Sequence, residues 1–330
     1  MAEKVTIATV AQHARVSRQT VSNVINAPHI VRPETRQRVQ DAIVTLGYRA
    51  NQAARQMRTG RSRLIAVRIE PTRDGINGSV LDRFLHGLTE TAEASGYRVM
   101  LYTAADDDRE IATYGDLLSA YDLDGFVITG TDHGDPRTAW LAEREIPFVT
   151  FGRPWDHLQS HSWVDVDGAA GTAAATAHLI AAGHRRTGFI GWPAGSGVGD
   201  DRRAGWRRAL VETSVDPTAL DAETEDGIAE GARAARELLD RPAPPTALVC
   251  ASDSLALGAM QTLRTAGADL PVIGFDDTPV AAAVGLSSVS QPLGDAAARC
   301  VDLLTDLLDG PRHGPRQVLL RPALVLRHPA

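Results

Sequence analysis

The chain is poor in cysteine, in aromatic residues and in long apolar runs, and each shortage excludes something. Two cysteines in 330 residues, Cys250 and Cys300, are too few and too far apart for a disulfide framework or a four-thiolate zinc site. They are expected as small core residues in a reducing compartment. No stretch approaches the roughly 20 apolar residues of a membrane span. The first ten residues carry Glu3 and Lys4 and no apolar signal-peptide core. These absences predict a cytoplasmic protein with no membrane contact. Catalytic signatures are missing too. No Gly-x-Ser-x-Gly elbow occurs, and the Gly-rich run 195–199 lacks the Lys-Ser/Thr of a phosphate loop. That run also falls too late in its strand–helix unit for a dinucleotide fingerprint, so it reads as a loop beside a cleft. His157 and His161 have metal-ligand spacing but nothing else completes a site, and they read as a solvated loop. Asp106, Asp107 and Asp108 read as an acidic loop. No metal, no cofactor and no enzymatic chemistry are predicted.

What is present is an ordinary globular composition with an uneven charge. Hydrophobic residues make up 43% and charged residues 23%, which excludes a disordered chain, and the length suits two or three folding units. The formal net charge is −7, from 34 basic and 41 acidic side chains. Residues 1–63 hold eleven of the basic residues and three of the acidic ones, leaving 23 and 38 downstream. A segment at +8 is thus joined to a body at −15. That asymmetry points to a nucleic-acid-binding head on a domain that avoids polyanions.

The head carries a motif as well as a charge. Thr6 is placed to cap a first helix, with Ile7, Val10 and Ala11 on one face. Ser17 is placed to cap a second helix whose buried stripe is Val21, Val24 and Ile25. On its opposite face stand Arg18, Gln19, Ser22 and Asn23. A third helix is predicted over 33–46, with Val39, Ile43 and Leu46 inward and Arg36 and Arg38 free for phosphates. Three helices with a polar-faced second helix make a helix-turn-helix, whose first turn can enter a major groove. There Arg reads guanine O6 and N7, and Gln or Asn reads adenine N6 and N7.

The run Val16-Ser17-Arg18-Gln19-Thr20-Val21-Ser22-Asn23-Val24-Ile25-Asn26 closely resembles the head of the lac repressor/galactose repressor family of regulators. So do Thr6 to Ala11, Glu34 to Val39, and Leu46 running into Asn51. The resemblance implies base reading by Arg18, Gln19 and Asn23. It implies supporting contacts from Thr6, Thr20, Ser22, Asn26 and Tyr48. Residues 51–58 match the family's hinge helix, which forms on DNA and enters the minor groove, with Asn51, Ala54 and Met57 as its contacts. Met57 stands where the family usually has a wedging leucine, Ala50 where it has a proline, and Arg32 where a serine commonly caps the third helix.

From residue 63 onward short apolar runs alternate with helical patterns. Strands are expected over 64–69, 97–102, 125–129, 147–151, 187–191, 247–251 and 271–275, with a last strand-like run over 318–327. Helices are expected over 168–182, 201–212 and 252–266, among others. Apolar strands between helices predict parallel sheets covered on both faces, and this many units suit two similar α/β halves. Ligands of such sheets bind outside the strands' carboxyl ends. Thr129, Asp132, Gly152, Arg153, Ser252, Asp253, Asp276 and Asp277 follow strands there, Arg202 opens a helix, and Trp163 and Gln291 sit near the expected crossings between halves. Asp, Arg and Gln with an aromatic plate are what a neutral polyol needs. Taken singly, Trp163 also fits a core position, and Asp253, Asp276 and Asp277 also fit helix caps.

The same family resemblance extends here through Arg202 to Trp206, Ala251 to Ala259, Ile273 to Asp277 and Ser288 to Pro292. It implies effector binding by Arg202 and Asp276, a direct or supporting contact from Gln291, Ser252 at an effector-contacting position and Trp163 as a stacking aromatic, while Thr129 and Arg153 are expected in the same site from their places at strand ends. The fold expected is an all-α helix-turn-helix head plus an α/β periplasmic-binding-protein-like effector domain of two parallel-sheet subdomains. The head spans 1–49, the hinge 50–61 and the effector and dimerisation domain 62–330. Its first subdomain is expected over 62–162 and 291–321, its second over 163–290 and 322–330. The function implied is a homodimeric repressor of carbohydrate-utilisation genes, released from a palindromic operator by a mono- or oligosaccharide effector. The alternative is a corepressor-type regulator sensing a purine or another metabolite. A sugar-binding module without a DNA role conflicts with the basic head, and a sugar-acting enzyme lacks its catalytic residues.

Overall fold

Three helices form the amino-terminal unit of the computed structural model, which describes residues 5–48, 60–69, 76, 78–310 and 314–327. Helix α1 (Ile7–Ala14) starts at Thr6, whose hydroxyl accepts the Thr9 amide while the Thr9 hydroxyl accepts the Thr6 amide. Two amides that a helix start otherwise leaves unpaired are thereby satisfied. Helix α2 (Arg18–Asn26) starts at Ser17, whose hydroxyl accepts the Thr20 amide at 3.0 Å. Helix α3 (Pro33–Leu46) begins without a side-chain cap at Arg32. Pro33 at its first position removes one amide that would need a partner. Val10, Ala11, Ala14, Val21, Val24, Val39 and Ala42 make the shared core. Ile7, Ile25, Ile43 and Leu46, all expected inward, are partly buried around it.

The chain divides into two compact units, 1–62 and 63–330. The second unit begins with β1 (Leu64–Arg68), α4 (Gly78–Ala94), β2 (Arg98–Tyr102), α5 (Asp107–Tyr121) and β3 (Gly125–Thr129). There follow α6 (Pro136–Glu143), β4 (Phe148–Phe151) and β5 (Trp163–Val166). The chain then builds α7 (Gly168–Ala181), β6 (Thr187–Gly191), α8 (Gly197–Glu212), β7 (Asp221–Glu223) and α9 (Ile228–Leu239). Next come β8 (Ala247–Cys250), α10 (Asp253–Ala266), β9 (Val272–Asp276), α11 (Pro279–Ala283) and β10 (Ser287–Ser290). It closes with α12 (Leu293–Asp309), β11 (Gln317–Leu320) and β12 (Ala323–Val325).

These strands form two six-stranded sheets. The first has the order β11-β5-β4-β3-β1-β2 and is parallel throughout. The second has the order β12-β10-β9-β8-β6-β7 and is parallel except for β12. Every residue of β3, β6 and β8 is buried, as strands covered by helices on both faces require. Helix α12 returns to the first sheet, where Ala296, Ala297, Cys300, Val301, Leu303 and Leu304 pack with Ile65, Val67, Val127, Val149 and Val164. Both cysteines are free and buried in cores.

The chain therefore crosses between the sheets three times: after β5, after β10 and between β11 and β12. The first crossing lies at Asp167 rather than before residue 163, because β5 pairs with β4 and β11 in the first sheet. The run 318–327 is two strands in different sheets, joined through Arg321 and Pro322. Strands β5, β7 and β10 lie outside the runs expected from the sequence. Their sequences Trp-Val-Asp-Val, Asp-Ala-Glu and Ser-Ser-Val-Ser are short and carry polar residues. Helix α8 starts at Gly197, four residues before its expected start, because the Ser196 hydroxyl caps it through the Gly199 amide. Asp106, Asp107 and Asp108 are a helix start rather than a loop: Asp106 caps α5 at 2.8 Å from the Arg109 amide. Acidic residues there also complement the helix dipole.

Candidate nucleic-acid interface and ligand cleft

Helix α2 turns Val21 and Val24 into the core, which leaves Arg18 and Gln19 exposed in its first turn. The Gln19 side-chain amide donates to Asn23 Oδ1 at 2.9 Å, one turn along. This pairing holds two amide side chains side by side before any partner arrives. Thr20 shares a hydrogen bond with the Ser17 hydroxyl at 2.8 Å, and the Asn26 amide folds back onto the Ser22 carbonyl at 2.7 Å. Thr6 is occupied as a cap, and Tyr48 is half-buried against the core. Asn51, Ala54 and Met57, with most of the expected hinge, lie outside the described residues.

In the larger unit the carboxyl ends of both sheets bring charged residues together. Asp276 closes β9 and is buried, and its Oδ1 accepts the Gln291 side-chain amide at 2.7 Å. Arg202, from the second turn of α8, stands 3.7 Å from the same oxygen. Its guanidinium also donates to the Ala251 carbonyl at the end of β8 and lies 3.7 Å over the Phe275 ring. Burial pushes the Asp276 carboxyl up to about 7, against the pull of Arg202. Its backbone has φ of 109° and that of Asp277 has 51°. Two consecutive non-glycine residues at positive φ are strained, by about 1–3 kcal/mol each, and such strain gathers at binding sites. Three of the expected residues, Arg202, Asp276 and Gln291, thus meet at one point.

The other four are placed differently. Arg153 pairs with Asp165 at 2.5 Å and reaches Asp201 on α8 at 3.4 Å, so it bridges the two subdomains. Burial raises the Asp201 carboxyl, partly offset by Arg153 and by the Ala169 amide. Thr129 is buried at the end of β3. The Ser252 hydroxyl caps α10 and donates to Asp226 at 2.5 Å, so it is engaged within the protein. Trp163 is a correction to the expected stacking plate. It lies at the amino end of β5, buried, with its indole N–H on the Leu158 carbonyl at 2.8 Å. The sequence placed it beside a crossing that the structure puts four residues later. Asp253 is no helix cap. It is buried and accepts from the Thr278 amide and hydroxyl and from the Ser288 hydroxyl, tying the start of α10 to the turn after β9 and to β10. Nor is His161 solvated. It is buried between Thr150 and Ser160, and burial lowers its pKa to about 4.

The structure also brings together residues that the sequence pattern placed beside strand ends without saying what they meet. Trp155 lies on the backbone of Gly197: a Cβ there would stand 2.4 Å from three atoms of the indole. Arg153 covers the ring at 4.7 Å, and the indole N–H donates to the Thr131 carbonyl at 3.1 Å. Gly152, at φ 122°, lets Thr131 approach so closely that a Cβ would meet its hydroxyl at 2.3 Å. Across the cleft the Gly197 amide points to Asp132 at 3.4 Å, and Arg83 on α4 donates to the carbonyls of Asp276 and Asp277 at 3.3 and 3.2 Å. Trp192, just past β6, lies 5.2 Å from the Arg202 guanidinium, and its buried indole nitrogen has no partner among the described residues. Gly-Arg-Pro-Trp at 152–155 and Gly-Trp-Pro at 191–193 carried these aromatics in the sequence, next to strand ends.

The geometry matches known regulators. A family model described as bacterial regulatory proteins, lacI family, matches residues 6–51, and one for a periplasmic binding protein-like domain matches 176–328. The chain is 33% identical to the HTH-type transcriptional regulator AglR of Rhizobium meliloti, covering 94% of this chain and 90% of that one. It is 33% identical to the regulator CelR of Thermobifida fusca, covering 98% and 97%. Among solved structures, a CelR–cellobiose complex is similar with a TM-score of 0.74, 30% identity and coverage of 98% and 99%. A lac repressor dimer bound to operator and the anti-inducer ONPF gives a TM-score of 0.83 at 25% identity, covering 98% of each chain. The chain belongs to the lacI family of bacterial regulatory proteins and is a DNA-binding transcriptional regulator.

Proposed function

We propose that the protein is a homodimeric repressor of carbohydrate-utilisation genes that leaves a palindromic operator when a sugar or glycoside enters the cleft. The observation that carries this reading is the meeting of Arg202, Asp276 and Gln291 at the carboxyl ends of the second sheet, opposite Arg83 and Arg153 of the first. A carboxyl, a carboxamide and a guanidinium offer the paired donors and acceptors that neighbouring hydroxyls use. Arg18, Gln19 and Asn23 read base edges, and a closed two-fold dimer matches two such helices to two half-sites. Thr6, Thr20, Ser22, Asn26 and Tyr48 support that docking. The hinge residues Asn51, Ala54 and Met57 complete it in the minor groove. Acting on chromosomal operators places the protein in the cytoplasm.

The 130–135 and 152–156 loops already lie against α8, and a bound effector is expected to hold them there. Reversing operator occupancy from 99:1 to 1:99 requires about 5.5 kcal/mol of differential binding, which two linked cleft sites can share. The cellobiose held by the CelR complex makes a glucoside the first effector to test, ahead of purines. The experiment is fluorescence anisotropy of a labelled duplex from the promoter beside this gene. It is run at physiological salt over excess random DNA, with mono- and disaccharides added. Release by one saccharide supports the reading. Binding that needs ligand makes the protein a corepressor system, and absence of any preference over random DNA, there and in selected duplexes, overturns it.

A further inference from the structure

Next to the cleft, inside the first subdomain, lies a buried ion cluster that the reading above leaves without a role. Glu110 on α5 is fully buried. Its Oε1 accepts the hydroxyls of Tyr102 and Tyr114 at 2.7 and 2.8 Å, and its Oε2 pairs with Arg68 at 2.6 Å and Arg137 at 2.9 Å. Arg137, in the first turn of α6, is buried as well and uses all five of its N–H donors. Nε donates to Asp135 Oδ1 at 3.0 Å. One terminal nitrogen serves Glu110 and the Thr129 carbonyl at 2.9 and 3.2 Å. The other serves the Gly130 carbonyl and Asp135 Oδ2 at 2.8 and 2.7 Å. The planar fork therefore grips two consecutive carbonyls at the point where β3 becomes the 130–135 loop.

That loop carries the contacts that hold Trp155. Thr131 accepts the Trp155 indole N–H through its carbonyl and donates its hydroxyl to the Arg153 carbonyl at 2.9 Å. Asp156 bridges His133 at 2.7 Å and the Gly134 amide at 2.6 Å, and Asp132 faces the Gly197 amide. The 152–156 loop is thus fastened to the 130–135 loop, and only the latter is anchored by the buried guanidinium. We infer that Arg137, fixed by Glu110, is a positioning residue that holds Trp155 over Gly197 at the rim of the cleft. All five of its donors are engaged within the protein, which leaves none for a ligand. It sets where the rim can meet the second subdomain. The inference deepens the cleft reading, but its test needs no effector, so either can fail alone.

The test uses the full chain and its indole N–H groups, followed by NMR hydrogen exchange without ligand. The Trp206 indole, bonded to the Thr187 carbonyl at 3.0 Å in the second subdomain, is the internal control. Arg137→Lys keeps the charge but replaces a five-donor plane with a three-donor point. Asp135→Asn leaves the Glu110–Arg137 pair in place and serves if the lysine variant does not fold. The expected result is Trp155 exchange at least about tenfold faster, with Trp206 unchanged. Unchanged Trp155 exchange in a folded variant overturns the inference. Equal acceleration at both indoles also overturns it, since that is general destabilisation.

Discussion

Substituting Gly197 by alanine tests the closed rim of the cleft directly. Gly197 is the first residue of α8, and its φ is not in the left-handed region, so the backbone accepts alanine. Helix propensity alone favours alanine, by up to about 1 kcal/mol at an interior position and less at a helix start. Any loss must therefore come from the side chain. The added Cβ would stand 2.4 Å from Trp155 Cδ2, Cε2 and Nε1. Carbon atoms prefer separations of about 3.5–4.0 Å, so the ring must retreat by more than about 1 Å. Retreat strains the 3.1 Å bond from the indole to the Thr131 carbonyl. Overpacking of this kind costs about 1–3 kcal/mol. At about 2 kcal/mol the saccharide that releases the operator should bind about 30-fold more weakly, with operator affinity unchanged. Calorimetry and operator anisotropy on Gly197→Ala measure both. Trp155→Ala vacates the space, so the double variant should recover part of the loss, and that coupling identifies the contact. Wild-type saccharide affinity in the single variant, with an unmoved Trp155 indole, would refute the closed rim.

Three other outcomes are expected. Arg18→Ala should cost about 1–3 kcal/mol on the operator and little on random DNA, read as a relaxed preference at one base of each half-site; equal losses on both DNAs would make Arg18 a phosphate contact. Asp276 has a carboxyl raised to about 7, and on the proposed sugar site its ionised form is the acceptor, so effector affinity should climb as pH rises from 5.5 through 7 and level off about one unit higher; a flat titration in wild type, matching that of Asp276→Asn, would remove this carboxyl from the site. His161 is held neutral, with a pKa of about 4 in the fold against 6.5 unfolded, so the unfolded chain gains a proton first and stability falls as pH drops through that window, by about 3 kcal/mol in all. Urea unfolding at pH 7 and pH 5 reads about 2 kcal/mol of this, and His161→Gln should flatten the difference.

The sequence displayed what repeats locally. Capping residues such as Thr6 and Ser17 and the apolar stripes of α1–α3 announce the head, because each depends on neighbours within a few residues. The continuous apolar runs of β3, β6 and β8 announce the buried strands for the same reason. Arg202, Asp276 and Gln291 were legible because each sits beside a recognisable run. The rim was not, because it depends on pairs far apart in the chain. Nothing in the local pattern of Trp155 says that it meets Gly197, and nothing around Glu110 says that Arg137 lies against it. Trp163 misled for the converse reason: its local pattern fits a crossing, but long-range pairing with β11 keeps it in the first sheet.

The return of α12 to the first sheet has a consequence for synthesis. The inner face of that sheet is completed by Ala296, Cys300, Val301 and Leu304, supplied about 240 residues after β1 begins. At roughly 5–20 residues per second, the ribosome delivers them about 12–50 s after the head has emerged. The three-helix unit, whose core is complete by Tyr48, can fold in that interval, while the sensor still exposes an unfinished apolar face. For that time each nascent chain carries a finished reading head with no working ligand control, and its exposed sheet is the surface a chaperone would engage.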